Sequence, residues 1–179
     1  MQTNGPALHT CAWRALAVAL LVVASLSRGA RAATATSTFT VTGNVIANCT
    51  ISTAGITFSY DPVVANAAAN ATATGTVTIA CTKGSAPTIG LSAGANSAAA
   101  AGLTPPAPRA MRLGATANYL GYDIYWPGTT TSWTTANPYV PAPPASKASR
   151  TFNMDGAAFA GQDVTVGTYT DTVTATVNF

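Results

Sequence analysis

The chain has 179 residues, a length typical of one domain, and 48% of its residues are hydrophobic while only 7% are charged. Globular proteins average about 25% charged residues. Arg14, Arg28 and Arg31 account for the net charge of +3, because the other cations balance the aspartates. A nucleic-acid-binding protein needs a clustered basic face. The few scattered cations that remain do not form one, so nucleic acid is excluded as a partner.

A continuous apolar run occupies residues 15–26, with Arg14 before it and Ala30-Arg31-Ala32 after it. A cationic start, a short apolar stretch and an A-x-A site are typical of a secretory signal peptide. A helix of this length rises only about 18 Å, which is too short for a bilayer core of about 30 Å. We therefore expect residues 1–32 to be a signal peptide, and the chain to be exported after cleavage behind Ala32.

The expected mature chain, residues 33–179, contains two cysteines, Cys49 and Cys81. In an exported protein an even pair of cysteines is most simply one disulfide bond. Two free thiols are the alternative. We predict the disulfide.

Apolar residues alternate with threonines in several segments, which is the pattern of half-buried strands. In chain order these are residues 38–45, 74–81, 88–92 and 119–126. The alternation is longest over 167–179. Alternate positions there, which share one face of a strand and are called one parity below, carry Tyr169, Val173, Ala175, Val177 and Phe179. Several short strands of this kind predict an all-β fold, an antiparallel sandwich or barrel.

Turn-forming and proline-rich segments separate these strands. Asp155-Gly156 is one of several predicted turns, and the proline-rich stretches 103–108 and 137–144 are predicted surface loops. The alanine-rich residues 95–101 are compatible with one or two helical turns. No linker divides the mature chain into two domains.

The residues that usually carry catalysis are scarce. The mature chain has no histidine and the whole chain has no glutamate, so Ser-His and Cys-His pairs and imidazole metal ligands are missing. It also has no phosphate-binding glycine-rich loop and no C-x-x-C pair. We expect a protein that is not an enzyme and that needs no cofactor and no metal.

Aromatic residues offer a second kind of binding site. Trp126, Trp133 and Tyr139 are close in sequence, and aromatic faces are suited to stacking against sugars. In a small β domain, however, large aromatic side chains usually belong to the core. A glycan-binding patch on Trp126 and Trp133 is therefore kept as the alternative.

An ordered set of segments resembles the spore coat U domain family, which comprises secreted pilin-like proteins of the archaic chaperone–usher pathway. The matching segments are residues 43–51, 73–84, 91–96, 122–125, 160–162 and 167–173, followed by the aromatic end Phe179. They cover nearly the whole mature chain. Ser59 and Val166 depart from the family pattern, which has glycine and proline there.

The resemblance implies an incomplete immunoglobulin-like antiparallel β-sandwich that lacks its final strand. A periplasmic pilus chaperone fills the open groove first, and at an outer-membrane usher the N-terminal extension of a neighbouring pilin subunit replaces it. This is strand addition used for polymerisation. The family also places its disulfide where Cys49 and Cys81 lie.

These implications divide the mature chain into a donor-strand extension, 33–42, and a pilin-like domain, 43–179. In the extension, Ser37, Phe39 and Val41 share the parity that faces inward. The groove and chaperone contact is expected on the apolar parity of the C-terminal strand, at Tyr169, Val173, Val177 and Phe179. The alternative is that residues 33–42 form the first strand of their own domain.

The functional expectation is a structural subunit of a surface pilus that polymerises by donor-strand exchange and supports adhesion or biofilm formation. Two alternatives are a monomeric secreted glycan-binding module and a structural protein of a spore coat. The pilin is expected to pass through the periplasm to the cell surface.

Overall fold

The computed structural model describes residues 32–179, and nearly all of its regular structure is strand. The signal-peptide prediction concerns residues that lie, apart from Ala32, outside this described part. Asn44–Phe179 forms a compact unit by itself. Its elements are β1 (Cys49–Ala54), β2 (Ala71–Cys81), β3 (Thr88–Leu91), α1 (Ser97–Ala100), β4 (Arg109–Leu113), β5 (Tyr119–Tyr125), β6 (Arg150–Ala158), β7 (Tyr169–Thr170) and β8 (Ala175–Asn178).

The strands form two antiparallel sheets. The larger sheet has six strands in the order β1-β2-β6-β5-β4-β7, and the smaller sheet pairs β3 with β8. The predicted all-β antiparallel fold is confirmed. Within residues 32–179, no helix is both long and apolar enough to cross a bilayer.

The core lies between the two sheets and follows the alternation seen in the sequence. On β2, Val77, Ile79 and Cys81 are buried, while Thr78 and Ala80 between them are more exposed. The smaller sheet contributes Ile89 and Leu91 to the same cluster. Period-two patterning thus sorts apolar from hydroxyl-bearing side chains, as the pleat of a strand requires.

The disulfide predicted between Cys49 and Cys81 is confirmed. The two residues are directly opposite each other in the β1–β2 register, and their sulfurs are bonded at 2.07 Å. The bond therefore fixes the start of β1 to the end of β2.

Three of the predicted strands and turns differ in the structure. Asp155-Gly156 is not a turn, because β6 continues through it. A Cβ atom on Gly156 would lie 2.8 Å from Cζ of Phe58, so this glycine serves close packing and not chain reversal. The expected strand over 38–45 is absent, since residues 32–48 contain neither helix nor strand.

The third difference concerns the C-terminal segment, which is not one strand. β7 pairs with β4 in the larger sheet, whereas β8 pairs with β3 in the smaller sheet. The chain changes sheets between Thr170 and Ala175, although its side-chain alternation continues across the change. Alternation reports burial on one face and does not reveal which neighbour a strand pairs with.

The proline-rich stretch 137–144 is more than a surface loop. Tyr139 forms an isolated antiparallel bridge with Ile89 of β3, and the N–H of Gly84 donates to the carbonyl of Pro144. This stretch therefore covers the edge of β3 that faces away from β8. The helical turn predicted in 95–101 is confirmed as α1.

The aromatic cluster belongs to the core. Trp133 is 0% exposed, and its indole N–H donates to the carbonyl of Ile89 at 2.6 Å. The Tyr139 ring lies against Trp126, Trp133 and Phe152, with centroids 6.1, 5.4 and 5.3 Å away. The alternative of a sugar-stacking patch on Trp126 and Trp133 is therefore wrong, because Trp133 has no face open to a ligand.

Candidate strand-accepting groove

A large cavity opens at one side of the sandwich. Its volume is about 900 Å³, and its walls are formed by two chain segments, residues 53–62 and 164–175. Protein interiors contain few voids larger than a water molecule. A gap of this size beside a core is therefore a candidate binding site.

The floor of this groove is the apolar core itself. It consists of side chains from both sheets, namely Leu91, Met111, Leu120, Tyr122, Ile124 and Met154. Five of the six are buried, and Met111 is half-buried. An occupant that reaches the floor would meet a mainly apolar surface.

The first wall follows β1. Ile56, Phe58 and Tyr60 pack against the core cluster, while Thr57 and Ser59 between them are exposed. This alternation is that of a strand. Yet within the described part of the chain, residues 55–60 make no backbone-to-backbone hydrogen bond. The first wall is thus a strand in side-chain pattern whose backbone is unpaired.

The second wall is the segment in which the chain changes sheets. The carbonyls of Thr172 and Thr174 accept hydrogen bonds from the N–H groups of Ala95 and Ser92, at 3.1 and 2.9 Å. Successive residues of a strand direct their N–H and C=O groups to opposite edges. The backbone of Val173 therefore faces the other edge, where it has no backbone partner among the described residues.

The two edges of the smaller sheet are treated differently. The far edge of β3 is covered through Tyr139, whose neighbour Pro138 and nearby Pro141 have no N–H to offer a further strand. Within residues 32–179, the edge beside Val173 has no such cover, and it adjoins the apolar cavity. Exposed edges invite pairing with another chain unless something covers them. The fold thus protects one edge and leaves the other open.

Of the four residues expected at the groove, two line it and two lie outside it. Tyr169 and Val173 line it. Val177 is half-buried and lies opposite Ile89 in the β3–β8 register, while Phe179 is 54% exposed. Neither Val177 nor Phe179 is among the lining residues.

The three expected donor residues lie before the compact unit. Ser37, Phe39 and Val41 belong to a segment without helix or strand, in which Phe39 is 87% and Val41 82% exposed. The first wall was missed in the sequence, although the alternation in Ile56-Thr57-Phe58-Ser59-Tyr60 was visible there. This segment lies directly before the turn-forming residues Asp61-Pro62.

Polar contacts fix the ends of the first wall and the floor. The Tyr60 hydroxyl donates to the carbonyl of Phe159 at 2.8 Å and accepts from the N–H of Gln162 at 3.1 Å. Burial, followed by the hydrogen bond to the carboxylate of Asp171, raises the pKa of the Tyr122 hydroxyl above its usual value. Tyr122 therefore stays protonated and donates to Asp171 at 2.7 Å.

Comparison with known proteins now identifies the family. The model of the Spore Coat Protein U domain matches residues 35–176, which is most of the chain. The chain belongs to the spore coat U domain family. No curated protein matches it.

A solved structure is similar to this spore coat U domain protein in fold. It is the crystal structure of the CsuC–CsuE chaperone–tip adhesion subunit pre-assembly complex from the archaic chaperone–usher Csu pili of Acinetobacter baumannii. The TM-score is 0.55 at 20% sequence identity, over 75% of this chain and 40% of that chain. This chain thus spans less than half of the matched one. The immunoglobulin-like class of the sandwich is confirmed, and the likeness concerns the fold alone.

Proposed function

We propose that this protein is a structural subunit of a chaperone–usher surface pilus and that it polymerises by donor-strand exchange. The observation that carries the proposal is the apolar groove between residues 55–60 and Val173, two segments that have no backbone hydrogen-bond partner among the described residues. Membership of the spore coat U domain family supports it. On this proposal the chain is exported to the periplasm and then displayed at the cell surface.

The groove offers what strand addition needs, namely unpaired backbone groups and a cavity for alternate side chains. An added strand would pair its backbone with the two unpaired walls, and its alternate side chains would enter the cavity above Leu120 and Ile124. In this mode of recognition the backbone supplies affinity and the pockets supply specificity. A monomer with an empty groove would expose both an apolar surface and an unpaired edge, so a chaperone strand is required before assembly.

The proposed occupant after assembly is the segment 33–42 of a neighbouring subunit. Its inward parity contains two large apolar side chains, Phe39 and Val41, together with small residues such as Ser37. Burial of such a side chain contributes about 1.5–3 kcal/mol, so the pair would contribute roughly 3–6 kcal/mol per junction. The exposure of Phe39 and Val41 leaves both side chains available for this role.

Parity fixes how the donor strand would insert. A slip of one residue turns every inward side chain outward. It would place Thr38 and Thr40 in the apolar cavity and return Phe39 to water. We therefore expect a single register for each junction.

The chaperone contact is proposed on the second wall, centred on Tyr169 and Val173. This set is narrower than the whole apolar parity, because Val177 and Phe179 lie outside the cavity lining. Exchange of the chaperone strand for the donor segment is proposed to occur at an outer-membrane usher. A surface polymer of this kind would support adhesion or biofilm formation, which an attachment assay comparing cells with and without the intact protein would measure.

The experiment uses the full chain, exported with the chaperone of its own system. Phe39→Asp with Val41→Asp should abolish polymers on a sizing column and leave the chaperone complex intact, since only the donor parity is changed. Thr38→Asp with Thr40→Asp is the matched control, because it adds the same charge to the opposite parity and should still polymerise.

Two results would contradict the proposal. Loss of the chaperone complex in the Phe39→Asp, Val41→Asp chain would indicate that the segment is an internal strand of its own domain. Polymers of normal length from the same chain would indicate that the groove receives another segment.

A further inference from the structure

The carboxylate of Asp171 lies at the point where the C-terminal segment leaves the larger sheet for the smaller one. Oδ1 accepts hydrogen bonds from the backbone N–H of Ala95 at 2.9 Å and from Nδ2 of Asn96 at 3.0 Å. It also accepts from the N–H of Thr172 at 2.9 Å. Oδ2 accepts from the hydroxyl of Tyr122 at 2.7 Å. One side chain thus joins three parts of the fold.

Gly94 makes this arrangement possible. A Cβ atom at that position would lie 2.0 Å from Oδ2 of Asp171, and the residue has a φ of +85°. Both the close approach and the backbone conformation favour glycine. The turn after β3 is therefore shaped to receive the carboxylate.

The contact with Tyr122 reaches the floor of the groove. Tyr122 is 4% exposed and belongs to β5 in the larger sheet. Asp171 itself lies in the second wall, two residues before Val173. The pair Tyr122–Asp171 therefore connects the floor with the wall whose edge is unpaired.

We propose that Asp171 is a positioning residue for strand addition. Its four hydrogen bonds hold the second wall at a fixed distance from the floor, so that the backbone of Val173 is aligned before a donor strand arrives. This inference rests on the proposed function, because it concerns the same groove. Asp171 is not itself proposed to contact the donor, since both of its carboxylate oxygens already have partners within the fold.

The physical reason is preorganisation. Between Thr170 and Ala175 the chain has no strand pairing in the larger sheet. One backbone hydrogen bond ties this stretch to Ala95, and two tie it to Ser92, one of them accepted by the Ser92 hydroxyl. Without the carboxylate, this stretch would sample positions that a donor strand cannot pair with. Ordering it would then oppose capture of the strand.

The test measures capture of a fluorescent peptide with the sequence of residues 33–42. The receiving protein is the exported full chain carrying Phe39→Asp and Val41→Asp, whose own extension is disabled, and it is purified as its chaperone complex. We expect Asp171→Ala in this background to slow peptide capture by about tenfold, and Tyr122→Phe to slow it by about threefold. The double variant should be slowed by less than the product of the two factors, because the residues act through one hydrogen bond.

Asp155→Ala is the matched control. Asp155 also carries a half-buried carboxylate, which accepts from the N–H of Gly128 at 2.7 Å, but it does not line the groove. Its replacement should leave the capture rate unchanged. If Asp171 had a purely structural role, Asp171→Ala and Asp155→Ala would both lower thermal stability, and the two variants would capture the peptide at the same rate.

The outcomes separate the two proposals. If the background chain with Asp171 intact does not capture the peptide, the proposed donor-strand function fails. If it captures the peptide and Asp171→Ala captures it within twofold of the same rate, only the role of Asp171 is overturned. Should Asp171→Ala fail to fold, Asp171→Asn and Tyr122→Phe answer the same question, and unchanged capture in both overturns the role.

Discussion

Ile89 and Tyr139 exchange two backbone hydrogen bonds, each 2.9 Å long, across the outer edge of the smaller sheet. This bridge occupies the edge of β3 with a segment of the same chain, and the prolines nearby prevent further pairing. The other side of the smaller sheet, toward Val173, has no such cover within the described residues. On the proposed function, an added strand would pair beside Val173 and not at the covered edge of β3.

The first prediction concerns the second wall of the groove. Val173→Asp places a charge in the apolar cavity, where an unpaired carboxylate is strongly disfavoured. We expect the exported chain to lose its chaperone complex, measured by co-purification from the periplasm. Phe179→Asp is the matched control, since Phe179 is half exposed and lies outside the lining.

Equal loss of the complex in both variants would contradict this narrower contact. Such a result would indicate that the chaperone contacts the C-terminal segment as far as Phe179. The contact surface would then be the whole apolar parity of that segment, including Val177.

The second prediction concerns the ion pair between Arg109 and Asp123. Arg109 is 0% and Asp123 3% exposed, and the guanidinium also donates to the carbonyls of Ser92 at 3.1 Å and Trp133 at 2.6 Å. Arg109→Met leaves an uncompensated buried carboxylate. We expect the free energy of unfolding to fall by about 3–5 kcal/mol, measured by urea denaturation of the full chain.

Two further variants test the reason for this loss. Adding Asp123→Leu to Arg109→Met removes the stranded charge and should restore most of the stability. Arg112→Met, at an arginine that is only half-buried, should cost less than Arg109→Met. If the double variant were no more stable than Arg109→Met alone, the contacts to Ser92 and Trp133 would be the larger contribution.

Much of the architecture was predictable from the sequence, because the alternation of apolar and polar residues along a strand is a local pattern. The strands around Val77 and Ile124 and the all-β class follow from such patterns. The Cys49–Cys81 bond follows from the even pair of cysteines in a chain expected to be exported. The open groove did not follow from them. Whether residues 55–60 find a backbone partner depends on distant segments, and an alternating pattern is the same in a paired and in an unpaired strand.

The polar anchors were hidden for a related reason. Asp123 and Asp171 appeared as ordinary aspartates within strand patterns. Their roles arise from Arg109 and Tyr122, which topology brings to them from elsewhere in the chain. No spacing rule connects such pairs, so only the fold could identify them.

The third prediction concerns the disulfide. Cys49 and Cys81 close a loop with a sequence separation of 32. Replacing both cysteines by serine should lower the free energy of unfolding by about 3–4 kcal/mol on the chain-entropy model. Denaturation of the oxidised wild-type chain is the reference. An equal midpoint for the double-serine variant would show that β1 is held to β2 by its ladder alone.

The last prediction is a pH dependence that arises from Tyr122. Burial and then the hydrogen bond to Asp171 raise the pKa of its hydroxyl in the folded protein, whereas in the unfolded chain it titrates near its ordinary value of about 10. Above that pH the unfolded state releases a proton that the folded state retains. The contribution of Tyr122 to stability is therefore complete below about pH 10 and is lost as the pH rises further.

Tyr122→Phe should lower stability at neutral pH, because the Asp171 carboxylate loses a donor, and should also make the decline above pH 10 less steep. Urea denaturation of both chains at a series of pH values measures this. Tyr125, whose pKa burial also raises, supplies the control, since Tyr125→Phe should flatten the alkaline decline without weakening capture of a donor peptide. Parallel stability curves for the wild-type and Tyr122→Phe chains above pH 10 would show that the Tyr122 hydroxyl is not held protonated by the fold.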